Sequence, residues 1–114
     1  MNAFENFIPD ENQTWKIVED GISRKIMAHD EQLMIVKVSF EAGGIGAIHR
    51  HIHTQTTYIE SGLFDVTIEG RTRSLKKGDV FFTRSNELHG VKCLEPGLLI
   101  DVFHPYREDL VEKQ

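Results

Sequence analysis

The sequence predicts an all-β sandwich or barrel of antiparallel strands. Short segments rich in apolar, aromatic and β-branched residues recur between turn signals along most of the chain. One of them, 64–69, alternates Phe64, Val66 and Ile68 with Asp65, Thr67 and Glu69, so one of its faces is buried. Helical periodicity is weak except near the C-terminus.

The elements follow in order. Residues 22–27 come after Asp20-Gly21, and 33–40 after His29-Asp30-Glu31. Residues 47–53 leave a Gly43-Gly44-Ile45-Gly46 loop. Segment 56–60 ends at Ser61-Gly62, and 64–69 ends at Gly70, where Glu69-Gly70-Arg71 predicts a tight hairpin. Segment 72–75 ends at Lys76-Lys77-Gly78-Asp79, and 80–83, 89–94 and 98–103 complete the set. A single helix is expected over 106–113, with Pro105 at its start and acidic residues in its first turn. Arg71, Arg73, Lys76 and Lys77 cluster on the predicted hairpin, where a solvated face explains them.

A chain of 114 residues supports one domain, and no repeat, linker or second domain is visible. At 39% apolar and 27% charged residues, the composition excludes wholesale disorder. Cys93 has no partner in the chain, which excludes a disulfide scaffold and suits a reducing compartment. The net charge is -5, from 18 acidic and 13 basic residues, and argues against nucleic acid as a partner. Apolar runs such as Gly97-Leu98-Leu99-Ile100 are far short of the roughly 20 residues of a membrane span. The opening residues lack the basic and apolar regions of a signal peptide, so the cytoplasm is the expected compartment.

Chemistry concentrates on the histidines. His49, His51 and His53 fall within five residues, and His89 stands downstream. In a strand, residues two apart share a face, so His49 and His51 aim two imidazoles at one point. Gln55 has the same parity and offers a carbonyl oxygen, and His89 brings another imidazole from a distant strand. Three nitrogens and one oxygen suit one divalent transition metal ion, with Zn, Ni, Fe, Mn and Co all compatible. Alternating histidines also make an ordinary polar face, and spacing alone does not choose between the two.

The glycines around these residues carry a family resemblance. Gly43, His49, His51, Gln55 and Gly62 are spaced like the first cupin motif, over about 43–62, with Gln55 where that family usually has Glu. Gly78 and His89 match the second motif, over about 78–93, where Arg84, Asn86 and Cys93 replace the usual Pro, Gly and Asn. The resemblance covers nearly all of residues 1–114. It implies a single cupin domain, a small antiparallel β-barrel of jelly-roll type, with His49, His51, Gln55 and His89 as metal ligands.

Within the cupins, the chain resembles the small KdgF family of pectin degradation. The likeness rests on His49-Arg50-His51, Gln55, Tyr58, Gly62, Gly78-Asp79, Asn86-Glu87-Leu88-His89-Gly90, residues 22–27 and the ending Leu99 to Asp109. That resemblance implies ring opening of unsaturated uronate monosaccharides from pectin or alginate to a linear ketone. By it, Asp101, Phe103 and Arg107 match the pocket residues that are not ligands. It also implies a small carboxylate substrate and a homodimer. Two other classes stay open: a non-catalytic cupin that binds or senses a small carboxylate or sugar, and a cupin dioxygenase needing a redox metal such as Fe.

The residue types suit the implied chemistry. Arg107 can hold a carboxylate with its always-charged fork. Asp101 can move a proton if burial raises its pKa, and Phe103 can wall the pocket. Each also has a plain structural explanation: Asp101 pairs with Arg107 or caps the tail, Phe103 packs in a core, and Arg107 is solvated. His53 is expected to be exposed beside the pocket and His104 to be on the surface. Cys93 is expected to be a small buried filler. Trp15 is expected to anchor packing at a dimer contact, with Phe4, Phe7 and Ile8 as further apolar surface.

Overall fold

The computed structural model describes residues 6–112. A 3-10 turn, Asp10–Asn12, leads into eight strands. They are β1 (Lys16–Glu19), β2 (Ile22–His29), β3 (Met34–Phe40), β4 (Ile45–His49), β5 (Thr54–Ile68), β6 (Arg71–Lys76), β7 (Val80–Thr83) and β8 (His89–His104), followed by α1 (Glu108–Glu112). The strand order is β1-β2-β3-β8-β5-β6, with β4 added to β8 and β7 to β5, and every pairing is antiparallel. The expected all-β fold and short C-terminal helix are both present.

Two long strands organise the molecule. β5 and β8 pair from Thr54↔His104 to Ile68↔His89. β3 and β7 flank the half of this pair that holds Gln55 and Phe103, while β4 and β6 flank the half that holds Val66 and Val91. The sheet therefore folds over on itself as a jelly roll. Among the described residues no ladder joins its outer strands, so it is not a closed ring.

The fold-over lies at Ser61 to Phe64, where the β5–β8 register shifts. Gly62 has φ of 90° and faces Gly97 so closely that a Cβ on either would lie 2.6 Å from the other's Cα. Only glycine pairs allow two backbones to approach like this. Ser61-Gly62 was expected to end a strand and instead bends it. The break between 94 and 98 is likewise a bend within β8. Pairing continues on both sides, and Ser61 Oγ accepts the Leu98 N–H at 3.1 Å across the gap.

Other boundaries also differ from expectation. β1 has no alternation to announce it, and Trp15 just before it lies over the buried Lys25 ammonium at 4.7 Å. The segment expected over 47–53 ends at His49, because the His51 carbonyl turns to accept the Asn86 N–H at 2.8 Å. The helix begins at Glu108 rather than 106, since Tyr106 is held stacked on His29 at 5.4 Å. Its end near 113 falls outside the described residues. Asn86, at the usual Gly position of the second motif, has φ of 66°, a conformation that Asn tolerates better than most residues.

Two apolar clusters fill the interior. Phe40, Ile59, Phe64, Val66, Phe81 and Leu99 belong to one, and Phe40 meets Phe64 edge-on at 5.2 Å. Ile26, Met34, Val36 and Phe103 belong to the other, which Leu110 of α1 covers. Burying Leu110 is worth about 1.5–3 kcal/mol. It also anchors α1, just after Arg107, against this cluster.

Candidate metal centre

His49 is the last residue of β4 and pairs directly with His89 of β8, so both side chains leave the sheet on the same side. Their rings lie 4.5 Å apart. His51 has already left the ladder, and its ring lies 5.4 Å from His49 and 4.8 Å from His89. Ligand atoms of all three fall within 4.8 Å of one another, which is close enough to hold one ion. Proximity thus arises from a cross-strand pair and a loop, not from the single strand that parity suggested for His49 and His51.

The ring orientations are fixed by the backbone. Each Nδ1 meets a carbonyl oxygen two residues away: Ala47 for His49 at 2.9 Å, His53 for His51 at 3.0 Å and Glu87 for His89 at 2.8 Å. A carbonyl only accepts, so each Nδ1 carries the proton and each Nε2 presents a lone pair. Burial, reinforced by the Arg107 charge and by His89, pushes the His51 pKa down to about 4. Burial also lowers that of His89. His51 and His89 are therefore neutral near pH 7, as ligation requires.

Two features show that the donor set suits a cation. The Nε2 of buried His89 has no hydrogen-bond partner among the described residues. The His51 Nε2 lone pair faces Gln55 Oε1 at 3.1 Å. Two acceptors in contact repel, and a cation that both ligate removes the repulsion. Gln55 is held this way round because its Nε2 donates to Thr57 Oγ1 at 2.9 Å and to Asp101 Oδ1 at 3.4 Å. Three imidazole nitrogens and an amide oxygen fit a borderline divalent ion.

Residues 36–103 match the family described as the cupin domain. This chain belongs to the cupins. It is 48% identical over 107 residues to the pectin degradation protein KdgF of Dickeya dadantii strain 3937, covering 92% of this chain and 96% of that protein. The structure of KdgF from a Halomonas species superposes with a TM-score of 0.89 at 42% identity, over 93% of this chain and 98% of that one. An RmlC-like cupin from Shewanella frigidimarina gives a TM-score of 0.90 at 36% identity, over 93% and 96%.

In this cupin the remaining polar residues surround a cavity of about 120 Å³ that His49, Gln55, His89, Asp101, Phe103 and Arg107 help to line. Asp101 pairs across the sheet with Thr57, whose hydroxyl donates to Oδ1 at 2.6 Å. Burial outweighs that hydrogen bond and the nearby Arg107 charge, and raises the Asp101 pKa to about 6. Phe103 is buried with its ring edge 5.8 Å from His51, and Arg107 lies over it at 5.3 Å. A larger hollow of about 420 Å³ beside β6 and β7 is lined by no carboxylate and no imidazole.

Several expectations change. Asp101 does not pair with Arg107, whose Nη2 and Nε instead donate to the Asp109 carboxylate at 2.7 and 3.3 Å. His53 is half-buried rather than exposed. Burial, and then the Arg107 charge, lower its pKa, and its Nδ1 has no partner among the described residues. Tyr58 points outward. His104 is exposed and Cys93 is buried, as expected. Thr57 and Asp109 were not anticipated. Thr57 had a signal, as a polar residue sharing inward parity with Gln55; Asp109 had none.

Proposed function

We propose that this cupin is a metal-dependent enzyme that opens the ring of unsaturated uronate monosaccharides, from pectin or alginate breakdown, to a linear ketone. The observation that carries this reading is the placement of a desolvated carboxyl, Asp101, and a guanidinium, Arg107, on one small cavity with three convergent imidazoles. Likeness to two KdgF proteins supports it. His49, His51, His89 and Gln55 hold one divalent transition ion, which supplies a Lewis acid toward a sugar oxygen.

Arg107 binds the uronate carboxylate through Nη1 and the second Nη2 hydrogen, which Asp109 leaves free. Phe103 walls the cavity and keeps water away from the sugar ring. Ring opening takes a proton from the hemiacetal hydroxyl, breaks the ring C–O bond and delivers a proton to the enol carbon, so the formula is unchanged. Asp101 is the group placed to carry that proton. A pKa near 6 lets it both give and accept one near neutrality.

The test uses the metal-loaded protein and lyase-generated unsaturated uronate, following loss of absorbance from the conjugated double bond. Asp101→Asn is expected to lower kcat by about 10²–10⁴, with KM and bound metal nearly unchanged. Arg107→Ala is expected mainly to raise KM, and Arg107→Lys to restore it in part. His49→Ala, His51→Ala and His89→Ala should each lose most bound metal, whereas His53→Ala should keep it. Full turnover by Asp101→Asn, or a wild type that binds uronates and never converts them, moves the protein to the class of carboxylate binders or sensors.

We further propose that residues 1–114 form one cupin domain that works as a homodimer. Phe7 and Ile17 are 82% and 79% exposed, and both lie in the N-terminal region. Phe4 lies outside the described residues. A monodisperse monomer at micromolar concentration overturns the dimer. No helix among the described residues is long and apolar enough to cross a membrane. The free Cys93 thiol favours the cytoplasm as the compartment.

A further inference from the structure

We propose that Arg24 is a second guanidinium of the carboxylate site, acting beside Arg107 and making this cupin selective for sugar acids over neutral sugars. The inference rests on the uronate reading above and extends it to a residue on a different strand.

Strand register places Arg24 on the inner face of the barrel. It pairs with Val38 of β3, and Val38 pairs with Leu99 of β8. Residues paired across a sheet project to the same side, and both Val38 and Leu99 line the cavity. The neighbours of Arg24 with the same parity on β2, Ile22 and Ile26, are buried core residues. An arginine in that row needs a partner.

Its Nε is buried and makes no hydrogen bond among the described residues. A guanidinium nitrogen only donates, so the missing group is an acceptor. Leaving such a donor dry and unpaired is costly, which marks the position as one completed by a ligand.

The charges nearby define that ligand. Burial first, and then the Arg107 charge, act against the charged form of Arg24, while the Asp109 carboxylate favours it. Asp109 is already engaged in its two hydrogen bonds with Arg107. Within the Arg24, Arg107 and Asp109 cluster, two guanidinium groups meet one carboxylate that Arg107 already holds, so the Arg24 charge has no ion-pair partner among the described residues. One carboxylate of a monoanion balances it and supplies the acceptor that Arg24 Nε lacks.

Calorimetric titration of the metal-loaded full chain with D-galacturonate, and with its uncharged methyl ester, tests this. Arg24→Met is expected to weaken galacturonate binding by about 10- to 100-fold, the range for a charge-assisted hydrogen bond. Ester affinity, bound metal and Tm should change little. Arg24→Lys, which keeps the charge and loses Nε, should fall between, and Arg71→Met on the exposed hairpin should bind like wild type. Wild-type galacturonate affinity in Arg24→Met overturns the inference and leaves the functional reading standing. If Arg24→Met does not fold, unchanged affinity in Arg24→Lys overturns it equally. A wild type that binds neither compound overturns the uronate reading and this inference together.

Discussion

The inward face of β5 is polar at Gln55 and Thr57 and apolar at Ile59, Phe64 and Val66, and all five residues are buried. Across on β8, Phe103 and Asp101 oppose the first two, and Leu99, Cys93 and Val91 the others, so Asp101 is the charged partner in the row. One strand pair thus carries two environments, and the change falls between Thr57 and Ile59, ahead of the Gly62–Gly97 approach. The apolar residues pack on one another and on Phe40, which meets Phe64 edge-on. The polar half survives burial because Gln55, Thr57 and Asp101 satisfy one another. Its remaining lone pairs converge where a metal ion would sit. His49 and His89 reach the site from the far end of the folded pair, where His89 opposes Ile68, so the bend brings the ligands together while the apolar layer packs beside them. Damage to that layer should leave metal binding measurable.

Phe64→Ala strikes the apolar half and should have the largest effect. Truncating a buried Phe costs about 3–5 kcal/mol, or about 15 °C or more of Tm in a domain of this size. Metal affinity, measured by titration below the lowered Tm, should stay near wild type. A parallel loss of metal affinity would show that the two halves are not separable.

Metal removal strikes the polar half. At a free-ion concentration about 100 times Kd, the ion should stabilise the fold by about 2.7 kcal/mol, and chelator should reverse this rise in Tm. His89→Ala should abolish the response and His53→Ala should retain it. A Tm insensitive to every divalent ion tried would refute the ligand set.

Thr57→Val keeps the shape and removes the 2.6 Å donor to Asp101. Chemical denaturation should show a loss of about 1–3 kcal/mol, because the Asp101 carboxyl is then left underbonded. No change in stability would mean that Asp101 is solvated and not part of a dry network.

The smallest effect belongs to the outer surface, away from both halves. Asp10 accepts from Lys37 at 2.8 Å and Lys25 at 3.2 Å, and Lys37 first, then Lys25, hold its pKa below the ordinary 3.8. A carboxylate with a depressed folded-state pKa stabilises the fold above its ordinary value and loses that contribution as pH falls through the folded value. The Tm difference between wild type and Asp10→Asn should therefore be present at pH 6 and shrink as pH drops below about 4. A difference that is flat across this range would mean the pairs contribute nothing.

Much of the site was legible from residue types and spacing. His49, His51, Gln55 and His89 were legible because donor type and motif spacing constrain them locally. A shared strand face does not bring His49 and His51 together, because β4 ends at His49. His51 is placed by its carbonyl bond to Asn86, a contact that lies 35 positions away and leaves no periodic trace. Asp101, Phe103 and Arg107 were singled out by resemblance, and the structure brings all three to the cavity. The partners of Asp101 and Arg107 were not legible. Thr57 meets Asp101 only through long-range strand register, and Asp109 takes Arg107 from within the tail.

By itself, the sequence determined the class of fold and the chemistry available. Alternation over Phe64, Val66 and Ile68 states which face is buried, and the turn glycines state where the chain can reverse, because both depend on neighbours along the chain. Tertiary structure alone decided that 54–68 and 89–104 are each one bent strand, since the close approach of Gly62 and Gly97 requires both backbones at once. It also decided that Arg24 shares a sheet face with Val38 and Leu99, which line the cavity. A charge at an inward position looks the same in sequence as a charge at an outward one until strand register shows which side is wet.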